Sequence, residues 1–491
     1  MTSKKYLEMN LVTVIGVTFM LLLLGTSIAL IGPFAGYISI GIGIVIVVIL
    51  LLQFGVFTVG DLIFFNAIVL PLFLVLLLKF TGTSLFGLWQ VALLTPAVFG
   101  FATFWGEVRQ ERLLRLSLVA FLFFLIWGVI STFTSGRSQW IAGTYQLASD
   151  LKLLLAVVLG YALCWDSRME RLLLLLIRWF WLPAMLLVAF EWAAPVLYYR
   201  VFTGEFVGIQ DLSGDLSKIF PSRAVGPFEH PAMFAGTAAT FAILVAARSL
   251  FINADRWRSW FLVAIYLLLL ISSQERGELA ACVAAIFLLY LLGRPERLAT
   301  RLLITFVLSS ALAVIFLTVF SASIENELKL AGFGTVSSID HPRSQLFHGA
   351  WFLAQQYFPW GSGWGTYGGA GSSKFNLSLY DYLGFRNYWW YPKEDFLMDT
   401  FWPNPVAETG FVGAIALFSS YVMFVVYAIK RCVKGNPSTK HYWASAAALM
   451  AYLIMNSPTS PTFQDPRLFV LSALMFGIAS KVSQEMRHAK T

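Results

Sequence analysis

Charge is scarce in this chain. Only 12% of its 491 residues are Asp, Glu, Lys or Arg, about half the ~25% usual in soluble domains. That excludes a soluble globular enzyme. It also excludes a nucleic-acid surface, because the net charge of +8 comes from short basic clusters between apolar runs rather than from one basic face. Cysteine is rarer still. The three present, Cys164, Cys282 and Cys432, lie in or beside apolar runs, so no disulfide framework is implied. There is no cluster of cysteines and histidines to hold a metal, and no Lys-bearing phosphate loop. Internal repeats, heptad runs and low-complexity tails are absent as well.

Apolar residues supply what remains. They make up 58% of the chain, and the mean hydropathy is +0.75. Residues 1–491 therefore read as one all-α polytopic membrane domain. About fourteen spans are expected, starting near 11, 37, 62, 85, 116, 150, 172, 231, 260, 279, 302, 410, 442 and 467. Lys4 and Lys5 precede a long first run, Leu11 to Ile31, which fits a transmembrane helix better than a cleaved signal. The run from Trp260 to Ser273 is short for a crossing. Apart from Arg178 and Glu191, the apolar spans hold almost no ionisable group.

Sidedness follows from Lys and Arg. With the N-terminus inside, twenty of the 34 basic residues fall in short inside segments, such as Arg109 to Arg115, Arg294 to Arg301 and Lys430 to Lys440. Two large loops are left on the outer face, 195–230 and 321–409, and a short outer turn runs from Gln274 to Glu278.

The outer segments carry the chemistry. The first loop ends PSRAVGPFEHP. It places Arg223 just before a helix start near Pro231, where free amides and the helix dipole favour an anion. The bland alternative is a snorkelling arginine. His230 reads as a cap or a packing residue. In the turn SSQERGE, Arg276 lies between Glu275 and Glu278, either as a functional cation at the membrane edge or as a local ion pair. In the second loop, an amphipathic helix is expected from Arg343 to Phe358. It has Leu346, Ala350, Leu353 and Ala354 on one face, Arg343 near its start and His348 more than a turn later. Six glycines follow between Gly361 and Gly371. Gly363-x-Gly365-x-x-Gly368 matches a dinucleotide fingerprint in form only, because no βαβ unit surrounds it. Tight turns and close backbone approach are the expected roles.

Three arginines on one face suggest a phosphate-bearing ligand, since a guanidinium binds phosphate through a planar fork and stays charged when partly buried. Three readings stand for Glu394, Asp395, Asp399 and Glu408. They bind a divalent cation, or they include a general base, or they are solvated. Glu408 also reads as a simple cap of the next helix. Tyr388 to Tyr391 suits either sugar stacking or an interfacial belt.

Four motifs together resemble the O-antigen ligase/polymerase superfamily. They are R-x-x-G-x-x-x-H-P (Arg223 to Pro231), a span ending S-x-x-R-G (Ser273 to Gly277), R-x(7)-W leading to P-x-G-x-G-x-G (Arg343 to Gly365), and E-x-G-x-x-G (Glu408 to Gly413). The set covers about 200 residues. The ligase branch usually has His-Asn where this chain has Asp399 and Thr400, and Pro-Asn where it has Pro231 and Ala232. The chain is more similar to the Wzy-type polymerases.

The resemblance implies a GT-C-like glycosyltransferase of the bacterial inner membrane, inverting, with its active site facing the periplasm. Donor and acceptor would be undecaprenyl-diphosphate-linked oligosaccharides. A chain-length regulator is an implied partner, and neither metal nor cofactor is required. Arg223, Arg276 and Arg343 would bind the diphosphate, and Asp399 would act as base with His348 as its rival. Ligase or protein O-oligosaccharyltransferase activity is the alternative within this class. A lipid-linked-sugar flippase is the alternative from another class.

Overall fold

The computed structural model describes residues 97, 100–102, 104–163, 165–201, 223–252, 256–293, 342–391 and 396–488. Among them all regular structure is helical. The membrane-scale helices are α1 (Arg112–Ser135), α2 (Trp140–Ala162), α3 (Ser167–Ala193), α5 (Pro231–Ile252), α6 (Arg256–Ser272), α7 (Arg276–Leu292), α11 (Pro403–Lys434), α12 (Lys440–Asn456) and α13 (Pro466–His488). Shorter helices lie in the segments between them: α4 (Pro195–Val201), α8 (Pro342–Gln356), α9 (Ala370–Phe375) and α10 (Ser378–Tyr382).

Six of the long helices (α1, α2, α3, α5, α11 and α13) are long and apolar enough to cross a membrane. The other three have 17 residues each, the lower bound for a crossing. Spans expected near 11, 37, 62 and 302 lie outside the described residues, and the span near 85 is described only from Ala97.

Proline opens α4, α5, α8, α11 and α13. Its missing N–H is no loss in a first turn, and its fixed φ suits the helix. Asp166 caps α3 by accepting the Met169 N–H at 2.8 Å. Gly136 ends α1 in the left-handed region.

Helices α5, α12 and α13 are the buried middle of the bundle, whereas α1 and α3 turn large apolar side chains such as Phe133, Leu122 and Leu186 outward, as a lipid face requires. Helices α2 and α13 meet backbone to backbone. A Cβ on Gly477 would stand 2.1 Å from the Val157 carbonyl oxygen, so only small residues permit this crossing.

Two expected boundaries are corrected. Helix α2 begins at Trp140, ten residues before the expected start. Its early turns are too polar to read as a span, but they bury Ala142, Gly143 and Gln146 beneath the glycine-rich segment. Asp150 and Lys152 therefore lie within a helix that the sequence left nearly free of charge. Helix α11 begins at Pro403 rather than near 410, and breaks at Gly410 (φ 64°, ψ −176°).

That break explains the glycine run. Carbonyls that lose their helical partners at the break bond elsewhere. Ala407 O accepts the Ser362 N–H at 2.9 Å, and Glu408 O accepts the Gly363 N–H at 2.9 Å. Ser131 Oγ also donates to Glu408 O at 2.6 Å, and Trp127 Nε1 donates to Thr409 O at 3.0 Å. The run thus lies against the broken helix. At Gly361 (φ 91°) a Cβ would sit 2.4 Å from the Gly410 nitrogen. Close backbone approach and tight turns are what the glycines provide.

The expected amphipathic helix is α8, and its predicted face is buried: Leu346, Ala350, Leu353 and Ala354. It packs against a small aromatic core of Tyr367, Tyr380, Phe385, Trp390 and Tyr391. The Tyr388–Tyr391 run is therefore split. Trp390 is fully buried and stacks on Tyr388 with centroids 5.7 Å apart, while Trp389 is 72% exposed. A folded loop of this size needs its own core, and these rings supply it.

Candidate functional site

Arg223, Arg276, Arg343 and Asp399 come from four separate segments, and two ion pairs and longer-range electrostatic contacts bring them together. The Arg223 Nη2 pairs with Glu275 Oε1. Glu275 is adjacent to Arg276, which lies within electrostatic range of Arg223. Arg343 Nε pairs with Asp399 Oδ2 at 2.5 Å, and Arg343 also lies within electrostatic range of Glu275. Burial alone would lower the Arg343 pKa, but the Asp399 carboxylate outweighs it and raises it. Both pairs are partly open, with side chains 16–31% exposed. Solvent and a ligand can therefore reach them.

Each member is held from below. The Arg223 segment is anchored to α6 through the Ala224 N–H to Ser272 O bond, 3.1 Å. The buried Glu191 carboxylate, at the end of α3, accepts the Val225 and Gly226 N–H groups at 3.1 Å each and the Tyr199 hydroxyl at 2.8 Å. The Tyr198 hydroxyl donates to Gly226 O. Arg276 opens α7, and two residues on Glu278 is buried, bonded to the Tyr452 hydroxyl and to Asn456 Nδ2. Arg343 rides the first turn of α8. Asp399 closes a turn, its N–H on Phe396 O at 3.1 Å. The chain beyond it is fixed by Phe401 N–H to Ser457 O, 3.2 Å, and by Trp402 Nε1 to Ser457 Oγ, 2.8 Å.

Several expectations change. Glu275 and Glu278 do not sandwich Arg276. Glu275 turns to Arg223, and Glu278 turns into the bundle. Glu408 does not cap a first turn, because α11 starts five residues earlier. Its buried Oε1 accepts the Thr366 and Tyr367 N–H groups at 2.9 and 3.1 Å, so it holds the glycine run. His230 is exposed, and its Nδ1 accepts the Ala232 N–H at 3.1 Å: it is a helix cap. His348 is exposed on α8, on the side away from the buried stripe. Glu394 and Asp395 lie outside the described residues. Among the described residues no group of three His, Cys, Asp or Glu side chains is placed to hold a metal.

Sequence reasoning missed a second charged group. Arg467 pairs with both Asp465 and Glu229, and Lys152 of α2 lies within electrostatic range of Asp465. The only signal was the D-P-R triplet at the start of α13. It also missed the glutamate anchors Glu191 and Glu278, which look in sequence like isolated acids in apolar runs.

The arrangement sets three guanidinium groups and two carboxylates around a partly exposed patch. Guanidinium groups now paired with carboxylates would bind phosphate oxygens with the same fork geometry. Asp399 keeps Oδ2 on Arg343 while Oδ1 has no hydrogen-bond partner among the described residues, which leaves it available to accept a proton. No family model matches the chain, and no curated protein matches its sequence.

Proposed function

We propose that this membrane protein is a glycan polymerase acting on polyprenyl-diphosphate-linked oligosaccharides at the outer face of a bacterial inner membrane. The observation that carries the reading is the linked set Arg223–Glu275, Arg276 and Arg343–Asp399, drawn together from four separate segments. In this scheme a growing chain is bound through its diphosphate by the three arginines. Asp399 Oδ1 accepts the proton of an acceptor sugar hydroxyl as that oxygen attacks the anomeric carbon. The bond from that carbon to the diphosphate oxygen breaks, with inversion, and the arginines stabilise the charge on the departing lipid diphosphate. Fourteen spans and the GT-C-like architecture belong to the same proposal.

The test uses purified full-length protein with lipid-linked repeat units. A ladder of increasing length is expected. Transfer of a single glycan onto a lipid core, with no ladder, would make the protein a ligase. Translocation without any new glycosidic bond would make it a flippase.

A further inference from the structure

Of the four aromatic residues from Tyr388 to Tyr391, the small core beside α8 takes Tyr388, Trp390 and Tyr391 and leaves Trp389 outside. The Trp389 ring meets the ring of Phe396, which is itself 46% exposed. Their centroids are 6.4 Å apart and their planes meet at 67°, so the two rings form a corner. Each is backed by its chain neighbour. Trp390 follows Trp389 into the core, and Leu397 follows Phe396 into the same core. The corner is thus mounted on a packed base and turned away from it.

Phe396 has φ 61°, a left-handed conformation that is rare for a bulky side chain. Glycine would hold it at lower cost, and burial of the ring does not offset the strain. Strain of this kind clusters at ligand sites, where the surrounding structure enforces it. The turn that Phe396 opens ends at Asp399, whose N–H bonds to the Phe396 carbonyl at 3.1 Å. The ends of such a turn lie within about 7 Å of each other. The aromatic corner therefore stands beside the Arg343–Asp399 pair.

The surroundings select the occupant. Phe396 directly follows Lys393, Glu394 and Asp395 in the chain, and taking ionisable groups into hydrocarbon is expensive, so acyl chains do not suit the corner. Two rings are far too small an area for a stable protein interface. A sugar ring fits both properties. Its C–H faces pack on the electron-rich face of an aromatic ring, and carboxylates such as Asp399 accept its hydroxyl groups.

We propose that Trp389 and Phe396 form a stacking platform for a sugar ring of the acceptor glycan, and that the platform carries the attacking hydroxyl to Asp399. The acceptor assignment rests on the polymerase reading. There the arginines hold the donor through its diphosphate, whereas the acceptor must be positioned through the sugar that reacts. Stacking recognises a ring face rather than single hydroxyls, so sugars with an unbroken C–H face are favoured over those with axial hydroxyls on both faces.

The test follows elongation by the purified full-length protein as the lipid-linked single repeat is varied against saturating lipid-linked polymer. Trp389→Ala and Phe396→Ala should each raise the acceptor KM about tenfold while kcat changes little, and Trp389→Phe should recover most of the loss. Phe396→Gly separates stacking from folding. It removes the ring and relaxes the backbone, so the thermal midpoint in detergent should hold or rise while KM still rises. A second readout is independent of turnover. The oligosaccharide freed from its lipid by mild acid should show saturation-transfer NMR contacts with the wild type and lose most of them in the Trp389→Ala, Phe396→Ala double variant. A wild-type KM from Trp389→Ala and Phe396→Gly, or unchanged contacts in the double variant, overturns the platform. A wild type that makes no ladder, with oligosaccharide contacts that still depend on the two rings, overturns the polymerase reading and leaves the platform as a glycan site.

Discussion

The arginine patch and the glycine seam use carboxylates in opposite ways. At the patch, Glu275 and Asp399 meet guanidinium groups at a partly open surface. At the seam, Glu408 is buried and meets only backbone N–H groups. Asp399 and Glu408 are nine residues apart on one segment, yet one faces a ligand's side of the protein and the other faces the protein itself. Carboxylate identity alone says little about role. What a carboxylate meets, a side-chain cation or an amide, separates a group that can exchange partners from one that cannot.

The sharpest break of this comparison is Asp399→Asn. The amide keeps size and a hydrogen-bond acceptor for Arg343 but cannot take a proton, so polymerisation should fall by about 10²–10⁴-fold while the protein level is unchanged. Normal ladders from this variant would move the base elsewhere. Chelators should have no effect on the wild type, and a strict divalent-cation requirement would recast Asp399 as a ligand.

Arg343→Lys keeps charge and loses the fork. Charge-assisted hydrogen bonds contribute roughly 1.5–3 kcal/mol, so turnover should drop by about 10- to 100-fold. Full-length polymer made at the wild-type rate would remove the diphosphate role from this residue.

At the seam the readout is stability. Glu408→Ala strands the Thr366 and Tyr367 amides, at a cost of about 1–3 kcal/mol each, and should lower the thermal midpoint in detergent. Glu408→Gln keeps a carbonyl acceptor and should lose less than half as much. Activity lost from Glu408→Gln without any change in midpoint would place Glu408 with the patch instead. The smallest effect is expected from His348→Ala. Exposed positions rarely shift free energies beyond about 0.5 kcal/mol, so activity should stay within about twofold. A loss beyond tenfold would make His348 the base.

Much of this was legible in sequence because membrane solvation is strict. Apolar runs, prolines at helix starts and the buried stripe of α8 each follow from a local rule. The arginines could be singled out because charge is scarce enough for each one to be noticeable. What escaped was tertiary. The early turns of α2 read as a loop because they are buried by the glycine run, not by lipid, and so need no continuous apolarity. Glu191 and Glu278 satisfy backbone and side-chain groups that are 34 and 178 residues away, a distance at which no spacing rule operates. The Tyr388–Tyr391 run suggested a ligand or an interface because its partners Tyr367 and Phe385 become neighbours only after the loop folds.

The seam at Gly410 also has a consequence in time. The Ser362 and Gly363 amides are bonded to carbonyls of a long helix, and the Thr366 and Tyr367 amides to a buried carboxylate. Hydrogen exchange at these four positions requires the run to part from α11, and the run is also tied to α1 by the Trp364 N–H on Thr132 Oγ1, so they should exchange as slowly as the helical bundle itself. A stretch with the composition of a flexible linker is thereby rigid on the timescale of turnover. On the polymerase reading, the run is a fixed wall of the site and does not swing as a lid.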